Sequence, residues 1–329
     1  MLNNLLLSVA ALTVFIGTLY PLFLDAVSGA KVSVGPPFFN SSFLPLMVPL
    51  FLALPLGPLL AWKRGDIAGA FGQLKFAAVV ALGLAAGALY LVGARTVLPF
   101  FGMALAAWLV LGSLSELALR IRLFRAPPAE TWARTRGLPR SAWGMSVAHA
   151  GLGLVVAGIT ATSAWQIEKI QLLKPGEQVA IAGYTLAFKG VAALEGPNYS
   201  AVRGTFDVTY GGHPVTMLYP EKRRYPVGGQ TTTEAAIHTT GFADLYVVIG
   251  EADQPGESGP INQPRASERI DANAAWATRI YYNPLVPWIW FGAVVMALGG
   301  LVSLSDRRHR VGAPAARRPR AAPALGAGE

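Results

Sequence analysis

The chain has 329 residues, 53% hydrophobic and 14% charged, with a mean hydropathy of +0.44; against the roughly 25% charged residues of a soluble domain, this is an integral membrane protein. Its net charge of +9 would point to nucleic acid in a soluble protein, but most arginines border apolar runs and topology accounts for them, which sets nucleic-acid binding aside. With no cysteine there is no disulfide, CxxC pair, cysteine zinc site or covalent haem attachment, and with no GxxxxGK(S/T) run the chain has no phosphate-cradling loop.

The first apolar run, 5–23, reads as a span and not a signal peptide. No lysine or arginine precedes it, and it continues through Tyr20-Pro21 to Asp25 without a small-residue cleavage site. A loop follows from Asp25 to Ser42, where Gly35-Pro36-Pro37 predicts a stiff, irregular path. Span two, 43–62, holds Pro45, Pro49, Pro55 and Pro58 and should be kinked. Span three, 71–92, carries Gly83 and Gly87 as a GxxxG, expected to mark close helix packing. Span four, 96–119, has Glu116 near its end. Beyond it Arg120, Arg122, Arg125, Arg134, Arg136 and Arg140 crowd one short connection, which should be cytoplasmic.

Span five, 141–165, is the centre of the chain: about the 20 apolar residues a bilayer needs, with Trp143 and Trp165 near its ends and one ionisable side chain, His149. An imidazole inside a membrane faces protein and wants a partner. Two readings stand open: a packing histidine hydrogen-bonded to a neighbouring helix, or an axial ligand of haem iron. Met145, Ser146, Ala150 and Gly153 share its helix face and leave room for a flat macrocycle or a close helix.

Residues 166–282 change character. Alternating stretches at 178–188, 201–210, 214–219 and 245–249, separated by Gly211-Gly212 and Gly228-Gly229, predict a small antiparallel β-rich domain. The sixth span is 283–306, and the basic tail, 307–329, has no apolar face and is expected to be disordered and cytoplasmic. Six spans put Lys63-Arg64, the six-arginine connection and the tail on one side. The expected fold is a polytopic α-helical membrane protein of six transmembrane helices, with a β-rich periplasmic domain between helices five and six. Both termini are then cytoplasmic.

Three further histidines remain. His213 in a turn and His309 in the tail read as solvated, and His238 has no acid or histidine at metal-ligand spacing, so a solvated loop is expected there too. In the outer domain Glu234, Asp244 and Glu251 are expected to pair with Lys222, Arg223 and Arg224; alternatively, Arg223 and Arg224 fit a partner's carboxylate such as a haem propionate.

The stretches YPEKRRYPVGGQTTTEAAIHTTGFADLYVVIGE, LGSL, RSAWGMSVAHAGLGLVVAGI, IGTLYPLFLDAVSGAKVSVGPPFFN and NPLVPWIWFGAVVMALGGLVSLSDRR together resemble the C-terminal half of the CcmF family of cytochrome c-type biogenesis proteins. The resemblance covers residues 2–310. It implies that His149 is one axial ligand of a b-type haem, which serves to reduce incoming haem iron. It implies a part in a haem lyase that joins haem to apocytochrome c outside the inner membrane, with Arg223, Arg224, Glu234 and Asp244 as candidate contacts to partner or propionate. The partners implied are an N-terminal half carrying a tryptophan-rich loop, a haem chaperone, and apocytochrome c with its thiol-handling chaperones, all beside membrane lipid. That N-terminal half, with the second histidine, is expected to be the product of a divided gene or the missing part of a longer reading, and lyase activity is expected only in the assembly. A membrane transporter and a non-catalytic scaffold subunit are the rival readings.

Overall fold

The computed structural model describes residues 2–60, 66–93, 96–252 and 273–306. The tail at 307–329 with His309, and Trp62, Lys63 and Arg64, lie outside the described residues.

The membrane part opens with α1 (Leu2–Ser28), which runs through Pro21. The expected irregular loop before residue 42 is corrected: after a short connection, Pro36 starts a second helix, α2 (Pro36–Ser42), because proline fits the first turn, where no intrahelical N–H bond is needed. Where a kinked second span is expected stand α2, then α3 (Leu44–Ala53) and a 3₁₀ turn at Gly57–Leu59, a pair bent by 45°. Five helices are long and apolar enough to cross a membrane, and six if this bent pair is one span. Past Ala53 the Leu56 N–H, the usual helical donor to the Leu52 carbonyl, turns to the Ala53 carbonyl instead (3.0 Å), and the Trp108 indole of α5 (Leu98–Arg120) donates to Leu52 at 3.0 Å. Pro55 rests against Gly112 of the same helix, where a Cβ would come within 2.4 Å of it.

α4 (Ile67–Val92) is capped by Asp66, whose carboxylate accepts the Gly69 N–H at 2.9 Å, and ends on Gly93 in the left-handed conformation. It lays Leu74, Ala77 and Ala81 against Trp108 and Leu56. Gly83 and Gly87 do not pack closely, contrary to expectation: a Cβ at either meets nothing within 4 Å. The close packing lies elsewhere. α7 (Arg140–Trp165) and α8 (Val286–Leu304) meet through Gly144, Gly151 and Gly158 on one side and Gly292 and Gly299 on the other. At each of these positions a Cβ would lie 2.4–2.8 Å from its nearest neighbour in the facing helix. A seven-residue glycine spacing keeps one seam facing one partner. Between α5 and α7 lies a ten-residue helix, α6 (Pro128–Gly137).

The β-rich domain is two packed antiparallel sheets. β1 (Ile167–Leu173), β10 (Trp276–Pro284), β9 (Ala243–Ala252) and β8 (Ala236–Thr239) form one, in that order. The other runs β2 (Gln178–Ile181), β3 (Tyr184–Glu195), β4 (Ser200–Tyr210), β6 (Glu221–Arg224), β7 (Thr231–Glu234), with β5 (His213–Leu218) also paired to β4. The stretch 178–188 is therefore a hairpin and not one strand, since Ala182 and Gly183 take φ of 48° and 85°, the geometry of a tight two-residue turn. Inward-facing Phe188, Phe206, Val208, Leu245, Val247, Ile249 and Ile280 make the core, at alternate positions along β9. Gly190, at φ 116°, sits at a register shift between β3 and β4, an extra residue that bends the strand.

The domain is a direct continuation of the membrane hairpin. α7 passes into β1, β10 passes into α8, and β1 pairs with β10 from Ile167↔Tyr282 to Leu173↔Trp276. At the joint Thr162 donates to the Pro284 carbonyl (2.8 Å), the Gln166 amide to Asn283 Oδ1 (2.6 Å), and the Trp288 indole to the Gly241 carbonyl (3.0 Å).

Candidate functional site

His149 lies on α7 between two neighbouring helices. α8 covers the seam of Gly144, Gly151 and Gly158, while α5 covers Ser146 and Gly153, with Gly153 against Val110 and Ala106. At 3.6 residues per turn His149 falls on the flank next to the α5 contact, away from the α8 seam. Of the residues that share its face, Ser146 and Gly153 are thus spent on a close helix. The ring is half-buried, and neither nitrogen has a hydrogen-bond partner among the described residues.

One turn before it is a buried polar cluster. Glu116 of α5 is 2% exposed; one oxygen accepts the Ser146 hydroxyl at 2.8 Å and the other pairs with Arg120, one turn along its own helix. A carboxylate in an apolar span needs such partners, and its charge acts on the His149 imidazole. This cluster was missed because its members are 30 residues apart; the available signal was an acid inside an apolar run. The start of α7 is held by Asp306, 5% exposed, which accepts the Ser141 N–H at 3.0 Å.

A free imidazole on an open flank is the donor that a haem iron takes. The residues present fit one axial ligand, and no second histidine stands in the described membrane helices. Among the described residues no group of three His, Asp or Glu is placed to hold a metal ion.

In the outer domain the charged candidates divide. Arg223 of β6 pairs with Glu221 of its own strand (2.8 Å) and lies over the Tyr199 ring at 4.4 Å. Arg203 of β4 grips the same carboxylate at 2.6 Å. Burial alone would raise Glu221, but the hydrogen bonds from Arg223 and Arg203 outweigh it and hold its carboxyl below the usual range, while Arg223 is raised by its bonds to Glu221 and Tyr225. Lys222 takes Glu251 at 2.7 Å. Glu234 accepts a hydroxyl from Thr232 at 3.1 Å and does not pair with Arg223 or Arg224; Arg224 is exposed and has no ion pair among the described residues. Asp244 stands apart from these, on β9 opposite Asn283 at the membrane joint, with Oδ1 buried and unpartnered. His238 is half-buried near Tyr184, not in a loop as expected but on β8; the rings are 6.4 Å apart. His213 opens β5 and is exposed.

Residues 164–284 match the family model described as the CcmF C-terminal beta-sandwich. The chain is 45% identical over 313 residues to the cytochrome c-type biogenesis protein CycK of Rhizobium meliloti, an alignment that takes in 95% of this chain and 44% of that protein. To the cytochrome c-type biogenesis protein CcmF of Pseudomonas aeruginosa it is 40% identical, across 94% of this chain and 44% of that one. Among solved structures, one titled cytochrome c heme lyase CcmF superposes with a TM-score of 0.65 at 21% identity, over 93% of this chain and 45% of the other, a likeness of fold. The chain spans less than half the length of the relatives it matches.

Proposed function

We propose, for a chain that corresponds in sequence and fold to the C-terminal half of CcmF proteins, that it serves cytochrome c maturation as the C-terminal part of a haem lyase. Its α7 supplies His149 as one axial ligand of a b-type haem. The observation that carries this reading is the half-buried His149 imidazole on the α5 side of α7, without a hydrogen-bond partner among the described residues. When bound, such a haem supplies one-electron chemistry that can keep an incoming haem iron reduced. The chain's own residues do the holding. α5 and α8 fix the rotation of α7 through Gly153 and the glycine seam, and Glu116 secures the turn below the imidazole through Ser146. The opposite ligand comes from outside this chain, from an N-terminal half carrying the tryptophan-rich loop.

The outer sandwich lies on the periplasmic side, both termini in the cytoplasm, and the bent α2–α3 pair counts as one of six spans. There the haem chaperone and apocytochrome c dock, with Arg224 as the cation available to a propionate, Arg223 and Glu234 as neighbouring contacts, and Asp244 as a separate contact at the membrane joint. The test is His149→Ala in a complex co-expressed with the N-terminal half of a relative. Loss of the b-type absorbance, or its change to a five-coordinate spectrum, with insertion intact, is expected. A six-coordinate spectrum at full haem occupancy overturns the assignment.

A further inference from the structure

The connection from α5 to α7 has a composition and a shape that haem ligation does not use. Six arginines, at 120, 122, 125, 134, 136 and 140, stand along it against a single acid, Glu130. Glu130 is held by Arg134 at 2.8 Å and approached by Arg122 at 3.9 Å, and Arg120 is taken by Glu116. Arg125, Arg136 and Arg140 have no carboxylate within ion-pair distance among the described residues. Arg136 lies over the Trp132 ring, 4.7 Å from its centre, which leaves the edge of the guanidinium free to donate.

The same segment exposes its large apolar side chains. Phe124 is 96% exposed and Trp132 57%. Arg122 and Phe124 both take left-handed φ, 54° and 59°, a conformation that side chains other than glycine rarely adopt. The turn so made leaves Phe124 clear of the described helices. A phenylalanine in that position in water would gain nothing for the strain. Both helices that the segment joins are long and apolar enough to cross a membrane, so the segment lies at a bilayer surface. There exposed aromatic side chains settle among acyl chains and arginines among phosphates.

We infer that residues 122–140 form an interfacial site for anionic phospholipid. In it Phe124 and Trp132 enter the acyl region while Arg125, Arg136 and Arg140 donate to the lipid phosphodiester. A guanidinium meets a phosphate with two parallel N–H···O bonds, and each arginine near an anionic surface multiplies lipid affinity roughly fivefold before competition from salt.

The experiment uses the full chain in bilayers of phosphatidylcholine containing a minor fraction of spin-labelled phosphatidylglycerol or spin-labelled phosphatidylcholine. The motionally restricted fraction of each label is read by electron spin resonance. Wild type is expected to prefer phosphatidylglycerol by about three- to tenfold. The triple variant Arg125→Gln, Arg136→Gln, Arg140→Gln should fall to within about twofold of no preference, with unchanged helix content. The matching triple Arg→Lys variant should keep most of the preference and shows that charge, and not a folding defect, is being read. No preference in wild type, or an unchanged preference in the Gln variant, overturns the inference. So does displacement of the lipid label by excess inorganic phosphate, which would mark a simple anion site. Binding of soluble polyglutamate without any lipid preference would assign the face to an acidic protein and overturn it equally.

Discussion

Gly299→Ala places a methyl group in the seam between α7 and α8. Its Cβ would lie 2.5 Å from the Ala148 nitrogen, 2.6 Å from the Gly144 oxygen and 2.9 Å from the Ala148 Cα. All three are backbone atoms of a helix, so no rotamer change relieves the contact. Ordinary contact begins near 3.4 Å, and α8 must therefore retreat by roughly 0.9 Å at that level. A radial gap of about 0.5–1 Å forfeits a quarter to a half of the dispersion energy of every pair it separates. The retreat also opens the packed levels at Gly151 and Gly158, so overpacking of about 2–3 kcal/mol is expected. Gly83→Ala is the control. Its Cβ meets nothing, and removing glycine from a helix interior gains about 0.5–1 kcal/mol. Both variants are purified in the same mild detergent and unfolded reversibly by added denaturing detergent, with helix content as the readout. Gly299→Ala should unfold earlier than wild type and Gly83→Ala no earlier. If Gly299→Ala is as stable as Gly83→Ala, the glycine seam is not what holds the two helices.

Two other outcomes are expected. Glu116→Ala should destabilise the membrane part by about 2–3 kcal/mol, the lower end for a broken buried pair because Arg120 can turn to the headgroups. Glu116→Gln, which can still accept the Ser146 hydroxyl, should lose about half of that in the same unfolding assay; equal losses would show that this hydrogen bond contributes nothing. In the outer domain Glu221 is held below its ordinary value of 4.5, so its contribution is complete above that value and is lost as pH falls through the lower folded one. Glu221→Gln should lower stability near pH 7 by about 1–2 kcal/mol, discounted for the partly exposed arginines, and should flatten the acid limb. A thermal midpoint of the full chain followed by aromatic fluorescence from about pH 7 to about pH 3 checks this; an acid limb as steep as that of wild type would refute it.

The parts of this fold legible in the sequence are those whose cause is local. The length and apolarity of 141–165 carry α7 without reference to any other segment, and the alternation in β9 and β4 carries the core of the sandwich. Where the cause lies in a distant partner, local pattern misleads. Gly83 and Gly87 have the familiar four-residue spacing but face no helix, whereas Gly144, Gly151 and Gly158 become a packing seam only because Gly292 and Gly299 arrive opposite them. The carbonyl of Leu52 at the end of α3 is satisfied by the Trp108 indole, more than fifty residues on, which no local pattern shows. Ala182 hid the β2–β3 turn, since alanine seldom takes positive φ. His149 was visible at once, but whether a neighbouring helix satisfies its ring depends on how α5 lies along α7.

The passage of α7 into β1 and of β10 into α8 leaves no linker between the outer sandwich and the membrane. Two helices locked by glycines and two strands locked by a seven-pair ladder make one stiff beam, pinned at its joint by Thr162, Gln166 and Trp288. His149 lies 16 residues before Trp165, about 24 Å along the helix, so the strand ladder of the sandwich and the imidazole are carried on one run of backbone with no loop between them.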